Sequence, residues 1–88
     1  MREISFTVHV FREGKTFVAH VPELDVSSCG ETADEARRNI KDAVRGFLET
    51  AEEMGTLSDI LSVTRLIEDG EGWNPPEFVS LDHMAVGI

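Results

Sequence analysis

The sequence predicts a single α+β domain in which one long helix covers one face of a four-stranded, mainly antiparallel sheet. Three patterns predict it: apolar residues alternate in the first 21 positions, a capped apolar helix begins after residue 32, and alternation returns at residues 83–88. The chain of 88 residues has the length of one domain, residues 1–88. The predicted element order is β-β-β-α-(α)-β, the second helix being short.

The first two strands are predicted to form a hairpin. Apolar residues alternate along residues 4–11 and again along residues 16–21, which is the period of half-buried strands. With the turn centred on residues 13–14, Val10 pairs with Phe17, and the apolar residues of both strands then share one face. The sequence therefore predicts a hairpin with one buried face.

A third strand and a long helix follow. The short strand is predicted at Val26–Cys29. Thr32 and Glu35 have the spacing of a capping box, in which the hydroxyl and the carboxylate each satisfy an orphan backbone N–H. An apolar stripe of about six turns then runs to Met54, and Gly55 is a natural stop.

The rest of the chain supplies the remaining predicted elements. Thr56 is expected to cap a second helix that ends near Leu61. A polar loop at residues 68–72 and a rigid extended segment at residues 73–76 precede the last strand, at residues 83–88. A right-handed crossover would return this strand parallel to the first, in strand order 3-2-1-4. Such a small sheet with one helix resembles part of a ribonuclease H-like fold.

The charge of the chain is negative and unevenly distributed. The net charge is −9, and from Glu49 onward nine carboxylates face the single Arg65, a net −8 for residues 49–88. This charge repels nucleic-acid backbones and anionic membranes, and it favours basic partners.

The single cysteine and the hydropathy indicate a compartment. Cys29 has no second cysteine for an intramolecular disulfide, which fits a reducing compartment. No signal-like apolar stretch opens the chain, and no segment approaches the length of a membrane span. We expect a cytoplasmic protein that does not contact a membrane.

Histidines are the main candidates for site chemistry. His9 and His20 are predicted on the uncovered sheet face, where His83 of the last strand could join them and bind zinc. The alternative is three unrelated, half-exposed strand residues, and we favour it. The sequence has no Gly-rich phosphate loop, HExxH or CxxC motif, so we expect neither an enzyme nor a cofactor. A metal-dependent nuclease is the least favoured reading.

Residues 17–48 contain a series of short motifs in a fixed order: Pro-Glu-Leu, Gly-Glu-Thr, Glu-Ala, and Asn-Ile-Lys-Asp-Ala. This series resembles the HicB-like antitoxin family. The residues that carry the likeness are Pro22, Glu23, Leu24, Gly30, Thr32, Glu35 and Ala36, together with residues 39–43. The resemblance implies that these residues have structural roles.

The resemblance also implies a partner. Family antitoxins bind a small, basic, HicA-type ribonuclease toxin and block its catalytic histidine, a task that suits an acidic chain. The candidate toxin-binding residues are the carboxylates Glu49, Glu52, Glu53 and Asp59. Many members carry a C-terminal DNA-binding module. No such module fits here, so we expect no direct DNA binding.

Self-association is predicted at the last strand, because an exposed sheet edge is a template for pairing. The expected interface consists of Met84, Ala85, Val86 and Gly87, with Phe11 and Val18 of the uncovered sheet face. We expect a homodimer or a dimer of dimers, as is typical of the family. The alternative function is a homo-oligomeric module that binds a small ligand or a metal at His9 and His20, without a toxin partner.

Overall fold

A computed structural model describes residues 3–88, which form two helices and six short strands. In chain order the elements are β1 (Glu3–Ile4), β2 (His9–Glu13), β3 (Thr16–Val21), β4 (Val26–Gly30), α1 (Ala33–Glu53), α2 (Leu57–Val63), β5 (Ile67–Asp69) and β6 (Gly72–Asn74). The predicted α+β class is confirmed. The predicted four-stranded sheet is wrong, because the strands form two three-stranded sheets, ordered β2-β3-β4 and β1-β6-β5.

The main core lies between α1 and one face of the β2-β3-β4 sheet. The strands pair antiparallel, and α1 packs across β3 and β4 and also reaches β2. The apolar stripe of α1 is on its inner face as predicted from Ala36 to Ala51, whereas Met54 at its predicted end is exposed. The buried core residues are Ala19, Val21, Ala36, Ile40 and Val44. Each large side chain among them contributes roughly 1.5–3 kcal/mol by leaving water.

The hairpin pairs in a register two residues away from the predicted one. Val10 lies opposite Ala19 rather than Phe17, and the two-residue turn is Gly14-Lys15. Gly14 has a φ of +62°, which suits the first central position of a type II′ turn. A shift by two residues leaves the same side chains on the same face, so the hydrophobic pattern could not distinguish the two registers.

The predicted first strand is divided between the two sheets. Residues 5–8 separate β1 from β2, and the Ser5 N–H donates to the Trp73 carbonyl over 2.8 Å. The Thr7 N–H donates to Glu23 Oε1, also over 2.8 Å. Phe6 still packs against the main core, so the apolar alternation continues through the point where the hydrogen-bond partners change.

The second sheet joins the start of the described chain to a hairpin that follows α2. β6 pairs parallel with β1 and antiparallel with β5. Asp69 shapes the turn, because its Oδ1 accepts the N–H of Glu71 at 2.8 Å and of Gly72 at 2.9 Å. A Cβ on Gly72 would overlap the carbonyl of Glu3, so glycine is required there. A later strand does lie parallel to the first, but it is β6 and not residues 83–88.

The predicted last strand is absent from the structure. Residues 75–88 form neither helix nor strand, and their large apolar side chains from Phe78 onward are exposed. The radius of gyration is 14.9 Å, against about 12 Å for a compact domain of this length. The 3-2-1-4 order and the ribonuclease H-like arrangement are therefore wrong. Alternation shows that a segment suits a strand, but a strand also needs an edge with which to pair.

Both helices lie where they were predicted. The Thr32 hydroxyl accepts the Glu35 N–H at 3.0 Å, while Glu35 Oε1 accepts the N–H of Glu31 rather than that of Thr32. Thr56 precedes α2 and caps it without a side-chain bond, since its hydroxyl donates to the Ala51 carbonyl. Neither helix of residues 3–88 has the length and apolar content needed to cross a membrane.

Candidate protein-binding surface

Four exposed carboxylates surround the point where α1 ends and α2 begins. Three lie on one face of α1, at spacings of three and four residues, and the fourth is in the first turn of α2. We call this group the acidic junction: Glu49, Glu52, Glu53 and Asp59. Residues 46–64 contain no Lys, Arg or His, so the junction is a region of uniform negative charge.

The carboxylates at the end of α1 oppose the helix dipole. The carbonyl end of a helix carries a partial negative charge, and the last turn of α1 contains Glu52 and Glu53 with no basic residue. Each such contact costs about 0.3–1 kcal/mol at low ionic strength. Within residues 3–88, no ion pair offsets the charge of any junction residue. The negative charge is thus located where it lowers the stability of the free protein.

A shallow apolar groove lies between the two helices beside the junction. Its volume is about 470 Å³, and Met54, which is 71% exposed, is part of its wall. The lining residues are Gly46, Phe47, Thr50, Ala51, Met54, Thr56 and Ile60. The sequence analysis missed this groove. The available signal was the pair Phe47 and Met54, which are two helical turns apart and therefore share a face.

A second cleft connects the junction to the other sheet. Its volume is about 490 Å³, and Glu52 lines it together with Leu61 of α2 and Trp73 of β6. Glu52 lines this cleft, and the adjacent Ala51 lines the interhelical groove. A partner that contacts Glu52 could bury apolar surface on either side of it.

The family-motif residues join the sheet to α1. Pro22, Glu23 and Leu24 occupy the turn between β3 and β4. A Cβ on Gly30 would lie 2.7 Å from the backbone nitrogen of Ala36, so the strand end touches the helix start closely. These positions hold the framework together, and none of them belongs to the acidic junction.

The histidines are only partly brought together. His9 lies directly opposite His20 in the β2–β3 pair, and His20 Nε2 is 2.9 Å from Asp25 Oδ1. Asp25 has a φ of +53°, a conformation that Asp tolerates better than most residues. His83 lies in the exposed C-terminal segment. Residues 3–88 contain no group of three or more side chains placed to hold a metal ion.

The predicted oligomer interface is exposed in the single chain. Met84 and Val86 are 88% and 87% exposed, and Ala85 and Gly87 between them are exposed as well. These residues therefore bury little of their surface within the single chain.

Compared with protein-family models, with curated proteins and with solved structures, the chain has no match.

Proposed function

We propose that this chain is a HicB-like antitoxin, which neutralises a small basic ribonuclease of the HicA type by binding it directly through the acidic junction. The observation that carries the proposal is the set of four exposed carboxylates without ion pairs, two of which, Glu52 and Glu53, lie where the dipole of α1 disfavours them. Charge that lowers the stability of the free protein has a physical rationale if a basic partner compensates for it.

The mechanism is electrostatic competition with RNA. A ribonuclease holds the phosphate backbone with Lys and Arg, and the acidic junction offers carboxylates to the same basic groups. The opposite charges accelerate the encounter and orient the two proteins. The apolar groove beside the junction supplies surface to bury, which lowers the dissociation rate. RNA is then excluded because its binding surface is covered.

The negative charge of the chain repels the DNA backbone, so the proposal does not include direct DNA binding. We place the action in the cytoplasm, where a ribonuclease toxin meets its RNA and where the free thiol of Cys29 stays reduced.

The proposal expects a neighbouring gene that encodes a small basic protein, and the test is a growth experiment with that protein. Expressed alone, that protein should stop growth, and co-expression of this chain should restore growth. A variant with all four junction carboxylates replaced by their amides should fold but fail to restore growth. The proposal is contradicted if the neighbour is harmless alone, or if the variant protects as well as the native chain.

A matched control removes the same number of charges elsewhere. The control replaces four exposed carboxylates by their amides: Glu13, Asp42, Glu71 and Glu77. Its net charge equals that of the junction variant, so loss of overall acidity affects both equally. We expect the control to protect like the native chain, which would assign the effect to the junction.

The second candidate is a homo-oligomeric metal-binding or ligand-binding module on the outer face of the β2-β3-β4 sheet, in which a second copy would supply the metal ligands that the described residues of one chain lack. It is favoured by the direct pairing of His9 with His20 and by the contact of His20 with Asp25. Calorimetric titration with Zn²⁺ tests it. Heat that disappears in the His9→Ala, His20→Ala double variant would support this candidate, and no heat with the native chain would eliminate zinc binding.

A further inference from the structure

The last twelve residues form an apolar arm whose large side chains are mostly exposed. We define the C-terminal arm as residues 77–88. Six large apolar side chains in it are between 66% and 122% exposed: Phe78, Val79, Leu81, Met84, Val86 and Ile88. A cluster of exposed apolar side chains of this size indicates a binding surface, whose partner is not part of the single chain.

The end of the arm has the pattern of a strand. Met84, Val86 and Ile88 alternate with smaller or polar residues, and residues 77–88 contain no proline. Eight extended residues, 81–88, span about 26 Å, whereas the five residues of β2 span about 17 Å. The arm is therefore long enough to pair along a whole strand of the main sheet.

The two edges of the main sheet differ in how open they are. At the β4 edge, the carbonyl of Cys29 already accepts a hydrogen bond from Asn39, and Gly30 is buried beneath the start of α1. At the β2 edge, four of the five residues are exposed, and Phe11 is 45% exposed. β2 is therefore the edge that can accept another strand. In the other sheet, the described residues of the edge strands β1 and β5 number two and three.

The arm begins beside this open edge. Residues 76–80 line a groove of about 690 Å³ together with Thr7 and His9, where the chain enters β2. Two copies related by a twofold axis near this groove would bring each arm to the β2 strand of the other copy. The contact is then reciprocal, because the twofold rotation places the arm of each copy on β2 of the other.

We propose that residues 81–88 pair, as an added strand, with β2 of a second copy of this chain, so that two copies exchange arms. Each exchange places backbone hydrogen-bonding groups of the arm on the unpaired groups of β2. It also brings Met84, Val86 and Ile88 against the partner, where Phe11 is the exposed apolar residue of β2. None of these residues belongs to the acidic junction, and the proposal does not depend on the toxin proposal.

Disulfide trapping between two different variants tests the exchange. In a Cys29→Ser background, one protein carries Phe11→Cys, and the other carries a cysteine at one arm position from 84 to 87. Each arm-cysteine variant is mixed with the Phe11→Cys variant, and the mixture is oxidised. We expect one or two arm positions to give a cross-linked heterodimer on non-reducing gels, at least tenfold above the other positions. If no arm position links to residue 11, the proposal is wrong.

The native cysteine provides the matched control. Cys29 lies on β4 and on the same sheet face as Phe11, since both are paired with Val18. Arm cysteines in a chain that keeps Cys29 should give little cross-link, because the Cys29 carbonyl already accepts a hydrogen bond from Asn39 and the adjacent Gly30 is buried. Preferential linking to Cys29 would overturn the choice of edge.

Light scattering on the full chain supplies the second measurement. We expect the native chain to be a dimer. Ala85→Pro removes a backbone donor from the middle of the added strand, and it should raise the dimer dissociation constant at least tenfold without changing the circular dichroism. The proposal is wrong if the native chain is a monomer or if Ala85→Pro leaves the dimer unchanged. It is also wrong if a chain that carries both cysteines forms only an intramolecular disulfide.

Discussion

The side-chain amide of Asn39 donates a hydrogen bond to the backbone carbonyl of Cys29, with 2.8 Å between Nδ2 and the oxygen. This bond links the second turn of α1 to the last residues of β4. It also occupies an acceptor at the edge of the main sheet. One side chain thus aligns the helix with the sheet and leaves β2 as the more open edge.

Replacing Asn39 by Ala should lower the free energy of unfolding by about 0.5–1.5 kcal/mol, the net value of one hydrogen bond. Urea denaturation followed by circular dichroism measures it. Lys41→Ala is the control, because Lys41 is exposed on the same helix and should change the stability by less than about 0.5 kcal/mol. Equal effects of the two substitutions would mean that the bond has no stabilising role.

Gly30→Ala should destabilise the domain by about 1–3 kcal/mol, because the new Cβ would lie 2.7 Å from the Ala36 nitrogen and 2.9 Å from the Glu35 side chain. Gly46→Ala is the opposite case. Gly46 lies within α1 with open space around it, so alanine should stabilise the helix by about 0.5–1 kcal/mol. Thermal unfolding of both variants gives the comparison, and a stable Gly30→Ala protein would contradict the packing described.

Gly72→Ala should separate β6 from β1, because its Cβ would overlap the Glu3 carbonyl. Trp73 is the only tryptophan and lies next to Gly72, so its fluorescence should shift toward that of an exposed indole. Gly70→Ala in the same turn has no close neighbour and should leave the spectrum unchanged. The same spectrum for all three proteins would argue against the parallel pairing of β1 with β6.

Glu52→Gln combined with Glu53→Gln should stabilise the free chain by about 0.3–1 kcal/mol per substitution, since both carboxylates oppose the dipole of α1. Added salt should reduce the gain by screening. Asp34→Asn is the reverse control. Asp34 lies in the first turn, where the dipole favours a negative charge, and it pairs with Arg37 at 2.6 Å. Chemical denaturation at low and high salt measures these changes in the free energy of unfolding. A double variant less stable than the native chain would show that Glu52 and Glu53 do not oppose the helix dipole.

The parts of the fold that depend on local signals could be predicted from the sequence. The Thr32 cap, the apolar stripe through Ile40 and Val44, and the end near Gly55 are all encoded within one helix. The inner faces of β2 and β3 were also predictable, because alternation assigns each residue to a face.

The remaining features depend on partners distant in the sequence. The change of sheet after Ile4 follows from a hydrogen bond to Trp73, which alternation does not reveal. β5 and β6 are three residues long, and all of β5 is exposed, so they leave almost no apolar pattern. The Asp69-Gly70 pair was their one turn signal.

The candidate site shows the same division. That the acidic junction would be exposed could be expected from its charge. The sequence signalled only one wall of the adjacent groove, through the shared helix face of Phe47 and Met54, because the other wall depends on where α2 lies beside α1.

The central claim is that the acidic junction binds a basic ribonuclease, and the dissociation constant of that complex tests it most directly. Isothermal titration of the neighbouring basic protein into the native chain should show binding. Neutralising the four junction carboxylates should weaken it by roughly 30-fold or more, which corresponds to at least about 2 kcal/mol for charge pairs buried at an interface. The control with four amides elsewhere should bind within a few-fold of the native chain. No binding by the native chain, or equal affinity of the native chain and the junction variant, would contradict the claim.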